Sequence, residues 1–121
     1  MSEIVTIIGA SEKKTRFSHM AMTALMEHGY DVKLVNPYKQ TIDGHKCFEA
    51  ITDIKEKINT VTLYVNPKRF KDHIEDVLQV KPERVIMNPG TENADMEKIL
   101  ENAGIKVSRA CTLVLLSSGQ F

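Results

Sequence analysis

Ile4-Val5-Thr6-Ile7-Ile8-Gly9-Ala10-Ser11 is the stretch that decides the fold. A nearly continuous apolar run of this length suits a strand buried on both faces of a parallel sheet, where neither face is left for polar side chains. Glycine at its end permits a tight turn and a close approach of backbone to ligand. Downstream, Phe17, Met20, Ala21, Ala24 and Leu25 recur at the spacing of one helix face, and Gly29 stands where a helix stops. The unit is strand, turn, helix.

The same unit repeats along the chain. Val32-Lys33-Leu34-Val35 reads as a second strand closed by Asn36-Pro37, and a loop with an Asp43-Gly44 turn leads to a short helix carrying Ile51, Ile54 and Ile58. Val61-Thr62-Leu63-Tyr64-Val65 is the third strand. Asn66 then makes an N-cap with Pro67 at the first helical position, and Phe70, Ile74, Val77 and Leu78 form the buried stripe of one helix. Arg84-Val85-Ile86-Met87 is the fourth strand, followed by the loop Asn88-Pro89-Gly90-Thr91. Met96, Ile99, Leu100 and Ala103 mark the last long helix, Gly104 stops it, and Ile105-Lys106-Val107 begins a fifth strand. Strict alternation with short connections predicts an α/β, Rossmann-like three-layer fold: a parallel five-stranded sheet with helices on both faces. Residues 1–121 are expected to form one domain.

Composition narrows the function. Sixteen basic and 16 acidic side chains cancel, so the chain lacks the basic surplus of a nucleic-acid or membrane-surface binder. The apolar run Leu113-Val114-Leu115-Leu116 is far too short to span a bilayer. Two cysteines, Cys47 and Cys111, share no metal-ligand spacing with the four histidines and read as free thiols. The first strand follows the N-terminus within three residues, too close for a signal peptide. A cytoplasmic protein is expected.

In open parallel sheets the ligand crevice lies beyond the carboxyl ends of the strands, where strand order reverses. The residues that follow each strand are therefore the candidates. Lys13, Lys14 and Arg16 crowd the entry to the first long helix, and Lys68 and Arg69 the start of the third. A helix dipole disfavours cations there by roughly 0.3–1 kcal/mol per exposed charge. An anionic ligand turns that penalty into attraction. The second strand ends in Asn36, with Lys39 three residues on, where an NAD reader carries an acid for the ribose hydroxyls. That pattern favours a nucleotide with a phosphorylated ribose. No aspartate ends a central strand, which excludes a phosphoacceptor-type regulatory domain. No Ser-His-Asp order or carboxylate pair stands out, and the default reading of His19 and the other histidines is structural.

Taken together, these post-strand segments resemble the CoA-binding domain family, which includes small stand-alone CoA-binding proteins and the N-terminal domain of the succinyl-CoA synthetase α subunit. The matching pieces are Gly9-Ala10-Ser11 with Arg16, Gly29-Tyr30-Asp31-Val32 leading to Val35-Asn36-Pro37, Ile42-Asp43-Gly44 with Cys47, Val65-Asn66-Pro67, Asn88-Pro89-Gly90 and Cys111. The resemblance runs from about Ile4 to Leu113. It implies coenzyme A as the ligand. Its diphosphate would sit at Gly9, Ala10 and Ser11 with Lys14 and Arg16, and its ribose-phosphate end at Asn36, Pro37 and Lys39. Val65, Asn66 and Pro67 would lie along it, and Asn88, Pro89 and Gly90 would face the same crevice. Many stand-alone members carry tryptophan and glutamine before that last loop, where this chain has Ile86, Met87 and Asn88.

The synthetase's catalytic histidine belongs to a second domain, so ligase chemistry does not carry over. The leading expectation is a non-catalytic CoA or acyl-CoA binding protein, a sensor or carrier module taking a small nucleotide ligand. An NAD(P)-responsive regulatory domain is the first alternative. The second is an acyl-CoA or thiol-transfer enzyme using Cys111.

Overall fold

The computed structural model describes residues 3–121. Met1 and Ser2, on which the reading of the N-terminal start rests, lie outside the described residues. Strand β1 (Ile4–Ile8) is buried at every position, as its apolar run requires. Around it stand β2 (Asp31–Val35), β3 (Thr41–Ile42), β4 (His45–Phe48), β5 (Thr60–Leu63), β6 (Arg84–Met87) and β7 (Lys106–Arg109), in the spatial order β3-β4-β2-β1-β5-β6-β7. β1 pairs in parallel with both β2 and β5. The chain therefore winds one way from β1 to β2 and the other way from β5 to β7. The reversal lies between β1 and β5, which is where such sheets open a crevice.

Helices cover both faces. α1 (Phe17–Glu27) and α5 (Thr112–Ser117) pack on one, where Ala21, Met22, Leu25 and Leu116 meet Val5, Ile7 and Leu34. α2 (Pro67–Phe70), α3 (Ile74–Val80) and α4 (Ala94–Asn102) pack on the other, where Phe70, Val77 and Leu100 meet Ile8, Val61 and Val85. Alternation along β1 sends odd residues to the first face and even ones to the second, so this one strand anchors both layers. The α/β, three-layer, Rossmann-like expectation is met.

Five details differ from the sequence reading. The sheet has seven strands, not five, because Asp43-Gly44 closes a hairpin between β3 and β4. Both turn residues have positive φ, 50° and 80°, the geometry that a two-residue hairpin loop demands. β3 runs antiparallel to β4, so the sheet is mostly rather than wholly parallel. The predicted short helix at Ile51, Ile54 and Ile58 is a three-residue 3-10 turn, Ile51–Asp53, although all three isoleucines are buried. The predicted third helix is split into α2 and α3 by a turn at residues 71–73. Leu113–Leu116, read only as an apolar run, belongs to α5.

Candidate functional site

β1 ends in a turn that only glycine can make. Gly9 has φ +92°, and a Cβ there would come 2.8 Å from the Tyr64 carbonyl oxygen and 2.9 Å from a Val65 methyl. Its absence lets the ends of β1 and β5 meet. The Gly9 and Ala10 N–H groups both donate to the Val35 carbonyl, at 3.0 and 3.3 Å. Asn36 closes the turn from β2, donating from Nδ2 to the Ala10 carbonyl at 2.8 Å and accepting the Tyr38 N–H on Oδ1 at 2.8 Å. The sequence places Asn36 against a ligand; its side chain first holds this turn.

Beyond the turn the backbone is less committed. Lys13 N–H donates to Ser11 Oγ, but the Ser11 and Glu12 N–H groups have no acceptor among the described residues. Arg16 is the N-cap residue of α1 and supplies no capping side chain, and no acid occupies the helix's first turn. Orphan N–H groups at an uncapped helix start attract anions.

These elements frame a cleft of about 680 Å³ at the β1/β5 reversal. Gly9, Ala10, Ser11, Arg16, Asn36, Lys39, Val65 and Asn66, all named as ligand candidates from the sequence, come together on its lining. Lys13 and Arg69 line it as well, and neither has a carboxylate partner among the described residues. Lys39 is engaged: its Nζ lies 2.6 Å from Glu12 Oε1. Asn66 caps α2, accepting the Arg69 N–H at 2.9 Å, so it sets the start of the helix that carries Arg69.

Two side clefts continue the first. One, of about 270 Å³, shares Gly9, Asn36, Val65 and Arg69 and runs on to Pro37 and Tyr38. The Arg69 guanidinium stands 6.0 Å from the Tyr38 ring centre there. His73 also lines this arm, and its burial pushes the imidazole below its ordinary value, against Asp72 and Asp76. The other arm, of about 220 Å³, shares Arg16, Ser18, Tyr64, Val65 and Asn66 and runs on to Phe17, Pro89 and Gly90. The Tyr64 hydroxyl is buried near Thr62 and Thr112 and makes no well-aligned hydrogen bond among the described residues. Burial pushes this phenol up.

Three predicted residues stand apart. Lys14 is exposed and lines none of these clefts, and Pro67 serves to open α2. Asn88 is 2% exposed and points inward. Its Nδ2 donates to Thr62 Oγ1 at 2.6 Å and to the Leu63 carbonyl at 2.8 Å, and its Oδ1 accepts the Thr112 N–H at 2.9 Å. It ties β5 and β6 to α5. His19, buried, turns from the cleft to Asp43 Oδ2 at 2.6 Å and pins the hairpin to α1. Cys111 is half-buried at the start of α5 and is not part of the cleft lining. No helix among the described residues is long and apolar enough to cross a membrane.

Known proteins share this architecture. A hypothetical protein from Pyrococcus horikoshii OT3 superposes with a TM-score of 0.90 at 31% identity, over 94% of this chain and 81% of that one. The uncharacterized protein YneT of Bacillus subtilis (strain 168) is 24% identical over 119 residues, 92% of this chain and 88% of its own. The acetyl-coenzyme A synthetase 1 of Ca. Korarchaeum cryptofilum, described as dinucleotide forming, is 18% identical. It shares the fold with a TM-score of 0.77, over 89% of this chain and 25% of that larger protein. The family profile described as "CoA binding domain" matches residues 3–117. With nearly the whole chain inside that match, the protein belongs to the CoA-binding domain family.

Proposed function

We propose that this protein is a non-catalytic module that binds coenzyme A or an acyl-CoA and senses it or carries it to a partner. The observation that carries the reading is the distribution of charge along the groove. Lys13, Arg16 and Arg69 line its central cleft without carboxylate partners among the described residues. One arm leads to the Tyr38 ring, with Glu49, Asp72 and Asp76 also on its lining, and the other to Phe17, Pro89 and Gly90. CoA has the matching order: a nucleotide, a diphosphate in the middle, and an uncharged pantetheine arm. The neutral Asn36, committed to the Gly9-Ala10 turn, offers no carboxylate to ribose hydroxyls, which speaks against NAD. Ser11 Oγ supports the reading by fixing the loop, accepting the Lys13 N–H at 3.1 Å.

The test is mass spectrometry of gently purified protein for a co-purified ligand, followed by thermal unfolding with CoA, acetyl-CoA, dephospho-CoA, NAD and NADP. CoA at about a hundred times its dissociation constant adds roughly 2.7 kcal/mol, a rise of several degrees. No shift at millimolar CoA together with a clear shift by NAD would overturn the reading.

A further inference from the structure

Among the described residues, Glu12 is the only acid on the lining of the central cleft, beside four cations. A carboxylate there works against an anionic ligand, yet it is not spare. It reaches from the loop after β1 to Lys39 in the loop after β2, 27 residues away, and meets the ammonium at 2.6 Å. The neighbouring Lys13, Arg16 and Arg69 carry no such pair among the described residues. The side chains of Lys39 and Glu12 are 41% and 53% exposed, so the contact is the kind that water and salt weaken. A doubly charged phosphate offers an ammonium more than one carboxylate does.

The geometry points to Glu12 as an internal rival of the ligand: in the free protein it occupies Lys39, and a phosphate entering the cleft takes Lys39 from it. This rests on the CoA reading for the ligand's identity but not for the contest itself. The arrangement makes the second-loop lysine a filter. A ligand with a phosphate at that point displaces Glu12, whereas one without it leaves the Glu12–Lys39 strap closed and gains nothing from Lys39. Displaced, Glu12 sits on an exposed loop and turns into water.

The experiment is calorimetric titration of CoA and, separately, of inorganic pyrophosphate into the wild-type protein, Glu12→Gln, Lys39→Met and the double variant. Glu12→Gln should tighten both ligands, by about three- to tenfold where Lys39 is present and by less than about twofold in the Lys39→Met background. Equal gains in the two backgrounds would mean that Glu12 merely repels the ligand, and would overturn the rivalry. So would unchanged affinity in Glu12→Gln, or no pyrophosphate binding to either protein. If pyrophosphate follows the pattern and CoA does not bind, the rivalry stands and the CoA reading falls. If CoA binds the wild type and Glu12→Gln does not tighten it, the reverse holds.

Discussion

Two loops leave the sheet at the same edge and do opposite things. The loop after β1, Gly9 to Arg16, keeps the Ser11 and Glu12 N–H groups without acceptors and brings Lys13 and Arg16 to the cleft wall. The loop after β6, Asn88 to Thr91, closes on itself. Asn88 is satisfied on both ends of its amide, Thr91 Oγ1 donates to the Asn88 carbonyl at 2.8 Å, and the Gly90 N–H donates to Glu92 Oε1 at 2.8 Å. Both loops follow strands and both contain glycine. What separates a place for an anion from a loop that only walls the groove is whether the donors already have partners.

Asn88→Ala should have the largest effect. It strips the Thr112 N–H and the Leu63 carbonyl of partners in a buried setting and leaves a small void. Each orphaned group costs about 1–3 kcal/mol, so the sum should reach roughly 3–4 kcal/mol. Urea unfolding measures it. CoA affinity of the folded protein should change by less than about twofold, because Asn88 does not line the cleft. Stability kept with affinity lost would exchange the roles assigned to the two loops.

Arg16→Ala should do the reverse. Arg16 is exposed and pairs with no carboxylate among the described residues, so stability should stay within about 0.5 kcal/mol. Affinity should fall by roughly 1.5–3 kcal/mol if the guanidinium meets the diphosphate. Calorimetry in low and moderate salt reads it directly. Unchanged affinity would remove Arg16 from the site and leave Lys13 and Arg69 to carry the anion.

The same contrast explains what was legible in the sequence. Ile4–Ile8 announced a buried parallel strand, and Gly9, Asn36 and Val65 announced the crevice, because these features are local. The β3–β4 hairpin hid because its strands are two and four residues long and carry Thr41, His45 and Lys46 rather than an apolar run. α5 hid because six residues, Thr-Leu-Val-Leu-Leu-Ser, are too few to show a helical period. Asn88 read as a ligand contact because its partners, Thr62 and Thr112, stand 26 and 24 residues away. Glu12 went unmarked since the lysine it holds comes 27 residues later. Composition shows that donors and acceptors exist, and only the fold shows which of them are spoken for.

Glu92 gives the finest test of the contrast. Its carboxylate accepts from its own N–H and from that of Gly90, and Arg109 lies near enough to add a little attraction, so its carboxyl is held below the usual range. In effect the β6 loop carries its own anion where the β1 loop leaves donors open. A carboxyl depressed in the folded state contributes stability that is present above its unfolded value and lost as pH falls through its folded value. Because Glu92 is fully exposed, this should be the smallest of the three effects. The Gly90 amide signal in a nuclear magnetic resonance titration should therefore move with a midpoint below that of an ordinary glutamate. Glu92→Gln should flatten that response while leaving CoA affinity unchanged, since the Gly90 N–H then keeps a neutral acceptor. A Gly90 midpoint in the ordinary glutamate range would mean that the loop's donor is not held by Glu92. The β6 loop would then be as open to an external anion as the β1 loop, and the division of labour between them would not hold.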